Sequence, residues 1–216
     1  MRKGLLINLD RCSGCDSCVV CCKLEHSLPL GSAYNKVKAM GPFGTFPNVE
    51  KYWLPVQCQQ CENAPCLEVC PTGATYREDE YGLIVINQEQ CIGCQACVSA
   101  CPYGVRYLNE DLNVVQKCTM CHDTVEQGEL PACVRTCGGR ARFFGDLDKG
   151  IDSFEAPWVV DVTEGDPSYD KTEHTRITLK ECVQEYKQSD VHHLPDVGNG
   201  PGFVYILRDR DWQGEE

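Results

Sequence analysis

Cys91-Ile92-Gly93-Cys94-Gln95-Ala96-Cys97-Val98-Ser99-Ala100-Cys101-Pro102 is the stretch that decides how this chain folds. Its repeating residue is a sulfur ligand, not an apolar face, so neither a strand period nor a helix period explains it. Three cysteines two residues apart can sit on one tight loop with their thiols converging. The fourth, three residues further on and followed by proline, is carried away from that point.

The pattern recurs outward from this stretch. Sixteen of the eighteen cysteines fall into four groups of four: Cys12, Cys15, Cys18, Cys22; Cys58, Cys61, Cys66, Cys70; Cys91, Cys94, Cys97, Cys101; and Cys118, Cys121, Cys133, Cys137. The first and third groups have the C-x2-C-x2-C-x3-C spacing of bacterial ferredoxins, and Cys70-Pro71 and Cys101-Pro102 end as that motif does. Three thiolates on such a loop can each reach one iron of a [4Fe–4S] cubane. The fourth cysteine of the ferredoxin motif ligates a second cluster, so the motifs must work in pairs. Sixteen thiols then correspond to four clusters.

A repeat accompanies the groups. Ile7-Asn8-Leu9-Asp10-Arg11-Cys12 matches Ile86-Asn87-Gln88-Glu89-Gln90-Cys91 in register, an apolar strand running into a ligand loop. Cys70-Pro71-Thr72-Gly73-Ala74-Thr75-Tyr76 is echoed by Cys101-Pro102-Tyr103-Gly104-Val105-Arg106-Tyr107 and by Cys137-Gly138-Gly139-Arg140-Ala141-Arg142-Phe143. Each reads as a short helical turn ending in glycine, then a strand. Glu78-Asp79-Glu80 and Asn109-Glu110-Asp111 turn the chain back into Leu83 to Ile86 and into Val114-Val115, which predicts two hairpins.

Composition supports metal as part of the fold. With 18 cysteines in 216 residues and a hydrophobic share of 42%, side-chain burial alone is a thin supply for a core. Ligands that meet only in the folded state turn metal binding into folding free energy. The formal charge of −12 becomes more negative with each cluster and argues against nucleic acid as a partner.

Zinc ribbons also use C-x2-C pairs, and Cys118 with Cys121 alone suits one, but zinc does not need a third cysteine two residues on. A disulfide framework calls for secretion and usually a much shorter chain. The apolar run in Met1-Arg2-Lys3-Gly4-Leu5-Leu6-Ile7-Asn8-Leu9 is too short for a signal peptide and reads as a first strand. No apolar run has the 18 or more residues needed to cross a bilayer.

Two cysteines are left over. Cys182 lies in Ile177 to Lys187, whose apolar spacing predicts a helix that buries it as a small hydrophobe; Cys21 adjoins Cys22 and is an alternative to it as ligand, with the spacing favouring Cys22. His26, His122, His174, His192 and His193 are expected at the surface, and Trp53, Tyr103, Tyr107 and Phe143 are expected to cover the clusters.

In their order, and with the long interval from Cys121 to Cys133, the four motifs resemble the four-cluster subunit of molybdopterin oxidoreductases of the dimethyl sulfoxide reductase family over residues 1 to 147. The resemblance implies that motif one pairs with four and motif two with three. The implied ligand sets are Cys12, Cys15, Cys18 with Cys137; Cys118, Cys121, Cys133 with Cys22; Cys58, Cys61, Cys66 with Cys101; and Cys91, Cys94, Cys97 with Cys70. It also implies a large molybdopterin catalytic subunit as partner, with the molybdopterin on that partner and a membrane anchor subunit or small redox carrier as further candidates. Relatives are exported with a twin-arginine partner or attached to a membrane through one; otherwise the chain is expected in the cytoplasm. Lys23 after Cys22 and Gly138 after Cys137 depart from the proline of the other two motifs. Within the family, Cys61-Glu62-Asn63-Ala64-Pro65-Cys66 and the stretch from Cys101-Pro102-Tyr103-Gly104-Val105 through Gln116-Lys117-Cys118-Thr119-Met120-Cys121 look most like the small subunit of pyrogallol–phloroglucinol transhydroxylase and related catechol dehydroxylases.

The expected architecture is α+β, with two ferredoxin-like βαββαβ-type units. One comprises residues 1–30 and 112–147, the other residues 50–111, and residues 31–49 and 148–216 are partner-facing loops and a C-terminal extension with a strand at Phe203 to Leu207. No nucleophile–base pair, phosphate loop or flavin motif stands out, so the chain is read as a conductor of electrons. The alternative is a free-standing polyferredoxin, a diffusible carrier between enzymes.

Overall fold

The computed structural model describes residues 1–158, 175–182 and 185–214. The chain opens with strand β1 (Lys3–Asn8) and helix α1 (Ser17–Glu25), followed by a long hairpin of β2 (Asn35–Thr45) and β3 (Asn48–Gln57). The middle carries α2 (Pro65–Glu68), the hairpin β4 (Thr75–Arg77) and β5 (Ile84–Ile86), α3 (Ala96–Ser99), and the hairpin β6 (Tyr107–Asn109) and β7 (Val114–Gln116). Then come α4 (His122–Glu126), α5 (Ala132–Arg135), β8 (Arg142–Asp146) and β9 (Glu155–Trp158). The C-terminal part holds β10 (Thr175–Thr178), α6 (Leu179–Cys182), β11 (Val191–His192) and β12 (Val204–Ile206).

One six-stranded sheet in the order β10-β9-β8-β1-β12-β11 organises these elements. β1 lies inside it, antiparallel to β8 with Leu6 opposite Phe143 and parallel to β12 with Leu6 opposite Val204. Leu5, Leu6 and Ile7 are consecutive and all fully buried, as are Phe143, Phe203, Tyr205 and Ile206. A strand buried on both faces needs a continuous apolar run, not an alternating one, which is what Gly4-Leu5-Leu6-Ile7 provides. A second, smaller apolar cluster joins Cys61, Ala64, Cys66, Ile84, Cys97 and Val115. Here thiols make up half of the buried set, so the lining of this core is also its chemistry.

The two expected hairpins and the strands at both ends are present, but three expectations change. Residues 31–49, read as loop, contain all of β2, whose register with β3 runs from Asn35 opposite Gln57 to Thr45 opposite Asn48. The expected boundary between 111 and 112 falls inside the β6–β7 hairpin, where Tyr107 pairs with Gln116. The helix expected over Ile177 to Lys187 is reduced to α6: Ile177 belongs to β10, residues 183–184 lie outside the described set, and Gln188–Asp190 is a 3-10 turn. Ile177 pairs with Ala156 in the sheet, so strand pairing overrides the local helical pattern.

The C-terminal segment is part of the core, with β12 between β1 and β11. Its approach is fixed by main-chain bonds to motif two: Glu62 N–H to Gly200 O at 2.8 Å, Asn63 N–H to Asn199 O at 3.0 Å and Gly202 N–H to Gln59 O at 2.8 Å. Beyond β12, Asp10 accepts from Arg208 Nε at 2.8 Å and Arg210 Nη2 at 2.7 Å, clamping the tail to the end of β1.

Candidate metal centres

The motifs share a local geometry. In the first, Gly14 (φ 67°) and Asp16 (φ 58°) are left-handed; in the third, Gly93 (φ 67°) and Gln95 (φ 61°) occupy the same positions. In the fourth, Met120 and Cys121 are left-handed, and in the second Gln60 precedes Cys61 with φ 50°. Left-handed residues alternating with right-handed ones turn successive N–H groups into one concavity, an anion-binding nest of the kind found at iron–sulfur sites. A non-glycine residue pays about 1–2 kcal/mol for that conformation, so its recurrence at matching positions is a constraint of the loops.

After the terminal cysteines the turns also repeat. Gly73 and Gly104 donate to the carbonyls of Cys70 and Cys101 at 3.3 Å, and Arg140 donates to Cys137 O at 2.9 Å. In the third echo, where the sequence predicts a closing glycine, Arg140 takes the left-handed position, with φ 47°. Main-chain N–H groups then reach sulfur: Thr75 to Cys70 at 3.4 Å, Ala141 to Cys137 at 3.2 Å, Val115 to Cys91 at 3.4 Å and Met120 to Cys118 at 3.4 Å.

Thiols from distant motifs meet. A small cavity is lined by Cys12, Cys15, Cys18, Cys137 and Arg142. Burial, opposed by the Gly14 N–H and by Arg142, raises the Cys12 thiol, and the Cys18 and Cys137 thiols add to the rise. Burial, then Cys118, Cys133 and Cys121, pushes the Cys22 thiol well above its ordinary range. Burial pushes Cys61 up to about 11 against a hydrogen bond from Asn199, with Cys58, Cys66 and Cys101 contributing. Cys91 and Cys97 pack at the second apolar cluster and Cys94 is exposed. Cys70 is held low: burial opposes ionisation, but the Thr75 N–H and the contacts from Thr72 outweigh it.

Three cations are buried among these thiols. Arg142, Arg106 and Lys117 are respectively 2%, 5% and 2% exposed, and among the described residues none forms an ion pair with a carboxylate. Arg142 donates to Asn35 Oδ1 at 3.2 Å through Nη2, while its buried Nη1 has no hydrogen-bond partner among the described residues. Arg106 Nη2 donates to Cys66 Sγ at 2.8 Å. Lys117 Nζ donates to the carbonyls of Ile84 and Cys118.

An uncompensated buried ion costs several kcal/mol, and three would consume most of a typical net stability of about 5–15 kcal/mol. Cys12, Cys66 and Cys133, which interact with these cations, are raised by burial and by neighbouring thiols and are poor counter-ions while protonated. A polynuclear metal group that binds them as thiolates supplies the missing negative charge and deprotonates them outright. The donor set therefore fits iron–sulfur clusters.

The remaining expectations divide. Trp53 lies against the first loop, since a Cβ on Gly14 would come 2.3 Å from its ring, and Phe143 is fully buried. Cys21 accepts a hydrogen bond from Thr136 Oγ1 at 2.9 Å, and Cys182 accepts one from Arg11 at 2.6 Å. The surface reading fails for His26, which is half-buried against Tyr34 with Nε2 3.4 Å from Cys121 Sγ; His174 lies outside the described residues. Sequence reasoning missed Arg106, Arg142, Lys117, Asn199 and His26. A positional signal existed for two of them: Arg106 and Arg142 each stand five residues after a terminal cysteine, where Thr75 stands after Cys70.

The sequence is similar to those of known proteins. Residues 49–147 match the 4Fe-4S dicluster domain family. A protein of Halobacterium salinarum assigned as an iron-sulfur subunit of dimethyl sulfoxide reductase is 38% identical over 201 residues, covering 76% of each chain. This chain belongs to the iron–sulfur electron-transfer subunits of multi-subunit oxidoreductases. The thiosulfate reductase electron transfer subunit PhsB of Salmonella typhi is 45% identical over 147 residues, 67% of this chain and 76% of its own. A sulfite dehydrogenase subunit of Allochromatium vinosum is 38% identical over 165 residues, 67% and 68% of the two chains. For this iron–sulfur subunit, no helix among the described residues is long and apolar enough to cross a membrane.

Proposed function

We propose that this subunit holds four [4Fe–4S] clusters and passes electrons to or from a molybdopterin-containing catalytic subunit. The observation that carries the reading is the meeting of reciprocal motifs around buried cations: Cys137 with Cys12 and Cys18, Cys22 with Cys118, Cys121 and Cys133, and Cys101 with Cys58, Cys61 and Cys66. The fourth set, Cys91, Cys94, Cys97 with Cys70, follows from the same reciprocity.

Each cluster supplies one-electron chemistry at a potential set by hydrogen bonds to sulfur, charge and exposure. The protein's own share is to hold the thiols, exclude water and place donors. The six-stranded sheet keeps motifs one and four together through the β1–β8 ladder. Cys15 and Cys94 are exposed, so the first and third loops reach the surface where a redox partner can approach.

Anaerobically purified chain should contain about sixteen irons and sixteen acid-labile sulfides, and redox titration followed by electron paramagnetic resonance should resolve four clusters. Zinc, or markedly less iron, would overturn the reading. The resemblance of the Cys61 to Cys66 and Gln116 to Cys121 stretches supports a catechol-type dehydroxylase or transhydroxylase as the catalytic partner. The complex co-purified with that partner should turn over catechols in preference to sulfoxides or thiosulfate; the opposite preference would remove the aromatic assignment and leave the conductor role intact.

A further inference from the structure

We propose that Arg142, Lys117 and Arg106 form a file of three buried cations, each set between two adjacent thiol sets, and that each raises the reduction potentials of the two clusters flanking it. The proposal rests on the four-cluster reading above and goes beyond it by assigning tuning roles to residues that ligate nothing.

The placement is specific. Arg142 lines one small cavity with Cys12, Cys18 and Cys137 and also acts electrostatically on Cys133, so it adjoins thiols of both the first and the second sets. Arg106 donates to Cys66 Sγ at 2.8 Å and interacts electrostatically with Cys58 and Cys97, which puts it between the third and fourth sets. Lys117 precedes Cys118 in the chain, donates to its carbonyl, and acts electrostatically on Cys66. It therefore stands between the second and third sets, which are themselves neighbours, since Cys118 and Cys58 repel one another. The order of sets is thus first, second, third, fourth, with one cation at each of the three junctions.

Physical reasons make these positions matter. Adding an electron to a cluster deepens a negative charge, and a fixed cation within a few ångströms in a water-poor interior stabilises the reduced form more than the oxidised one. A guanidinium stays charged under all relevant conditions. A cation shared by two sites also offsets the repulsion that reduction of one would impose on the other, so both can be reduced without a large split. Surface charges are screened over about 10 Å by salt; these three are inside, where screening is weak. Retaining three such cations with no carboxylate partner among the described residues is costly for folding, which is understandable if their counter-charges are the clusters themselves.

The test uses the full-length chain, purified anaerobically, with iron and sulfide counted before potentiometric titration under electron paramagnetic resonance. In Arg142→Gln, Lys117→Gln and Arg106→Gln, two of the four clusters should each become at least tenfold harder to reduce, a fall of about 59 mV for one electron. The other two should hold. The pairs affected by Arg142→Gln and Arg106→Gln should not overlap, and Lys117→Gln should move one cluster from each pair. Charge-keeping Arg142→Lys, Arg106→Lys and Lys117→Arg should load fully and titrate close to the parent. A uniform change across all four clusters, no change, or a charge-keeping variant as low as its glutamine counterpart would overturn the proposal. If a glutamine variant fails to load iron, loading and parental potentials in the charge-keeping variant uphold the need for charge, and their loss there refutes it. A parent chain with far fewer than about sixteen irons would instead refute the four-cluster reading itself.

Discussion

Asn199 Nδ2 lies 3.0 Å from Cys61 Sγ, a hydrogen bond between residues 138 positions apart. The same amide reaches the Tyr103 hydroxyl at 2.8 Å, and the Tyr103 hydroxyl donates to Pro195 O at 2.9 Å. Asp196 Oδ1 shapes the loop that presents Asn199 by accepting from the Gly198 and Gly200 N–H groups at 2.9 and 3.0 Å. A segment outside the four cysteine motifs thereby donates to a motif-two sulfur.

Replacing Asn199 with Leu removes an N–H···S bond that favours added negative charge. On the proposed four-cluster reading one cluster should become harder to reduce, and stability should fall by about 1 kcal/mol. Asn199→Asp keeps the shape but turns a donor into an acceptor with its own charge, so its potential should fall further. Potentiometric titration of both variants checks the order; equal potentials in the two would contradict it.

Gly93 and Gly73 make a controlled pair. Both are left-handed, but a Cβ on Gly93 would lie 2.6 Å from the Asn113 carbonyl oxygen, whereas a Cβ on Gly73 has nothing within 4 Å. Gly73→Ala should cost only the conformational strain, about 1 kcal/mol, and keep the parental iron content. Gly93→Ala must displace the third ligand loop from the β6–β7 turn and should lose at least one cluster. Iron per chain after anaerobic gel filtration gives the comparison.

Glu78 gives a pH dependence with a definite sign. Burial opposes its ionisation, but Oε1 accepts from Tyr81 N–H at 2.7 Å and Leu83 N–H at 3.0 Å, and Oε2 from Glu80 N–H at 2.9 Å. These bonds and nearby His122 hold its carboxyl below the usual range. A folded value below the unfolded one, about 4.3, means that the stabilisation is full above roughly pH 5 and is lost as pH falls through the folded value. Glu78→Gln should cost about 1 kcal/mol at pH 7, and the gap to the parent should narrow towards pH 3.5. Denaturant unfolding at both pH values tests this; a gap that widens on acidification would reverse the assignment.

Truncation before residue 190 should abolish soluble expression, not merely weaken partner binding. It removes both β12 and β11, leaves β1 as the edge of the sheet and uncovers the faces that Phe203, Tyr205 and Ile206 cover, all of them fully buried. Losing the burial of three such side chains forfeits roughly 1.5–3 kcal/mol each, comparable with the whole stability of a typical domain. Soluble, iron-loaded protein lacking residues 190–216 would show that the sheet does not need this strand.

Local features were legible in the sequence. β1 follows from the run Gly4-Leu5-Leu6-Ile7, the hairpins from acidic turns between short apolar segments, and the ligand loops from cysteine intervals with glycine or a polar residue between them. Each of these is decided within a few residues, where dihedral preference and spacing suffice. The β2–β3 hairpin is hidden by its Gly41-Pro42 and Gly44 punctuation, which resembles loop. The Ile177 segment has a helical pattern, but its pairing with β9 fixes it as strand. His26 looks unpartnered in the sequence because its partner, Cys121, is 95 residues away.

By itself the sequence determined how many thiols there are and which of them share a loop, because ligand spacing acts over two to four residues. Only the tertiary structure decided what faces each group across the fold: Arg142 between motifs one and four, Arg106 on Cys66, and Asn199 on Cys61. The physical reason is range. Backbone preference is settled among neighbours, whereas the counter-charge of a buried sulfur is whatever the sheet order brings within a few ångströms, however far along the chain it lies.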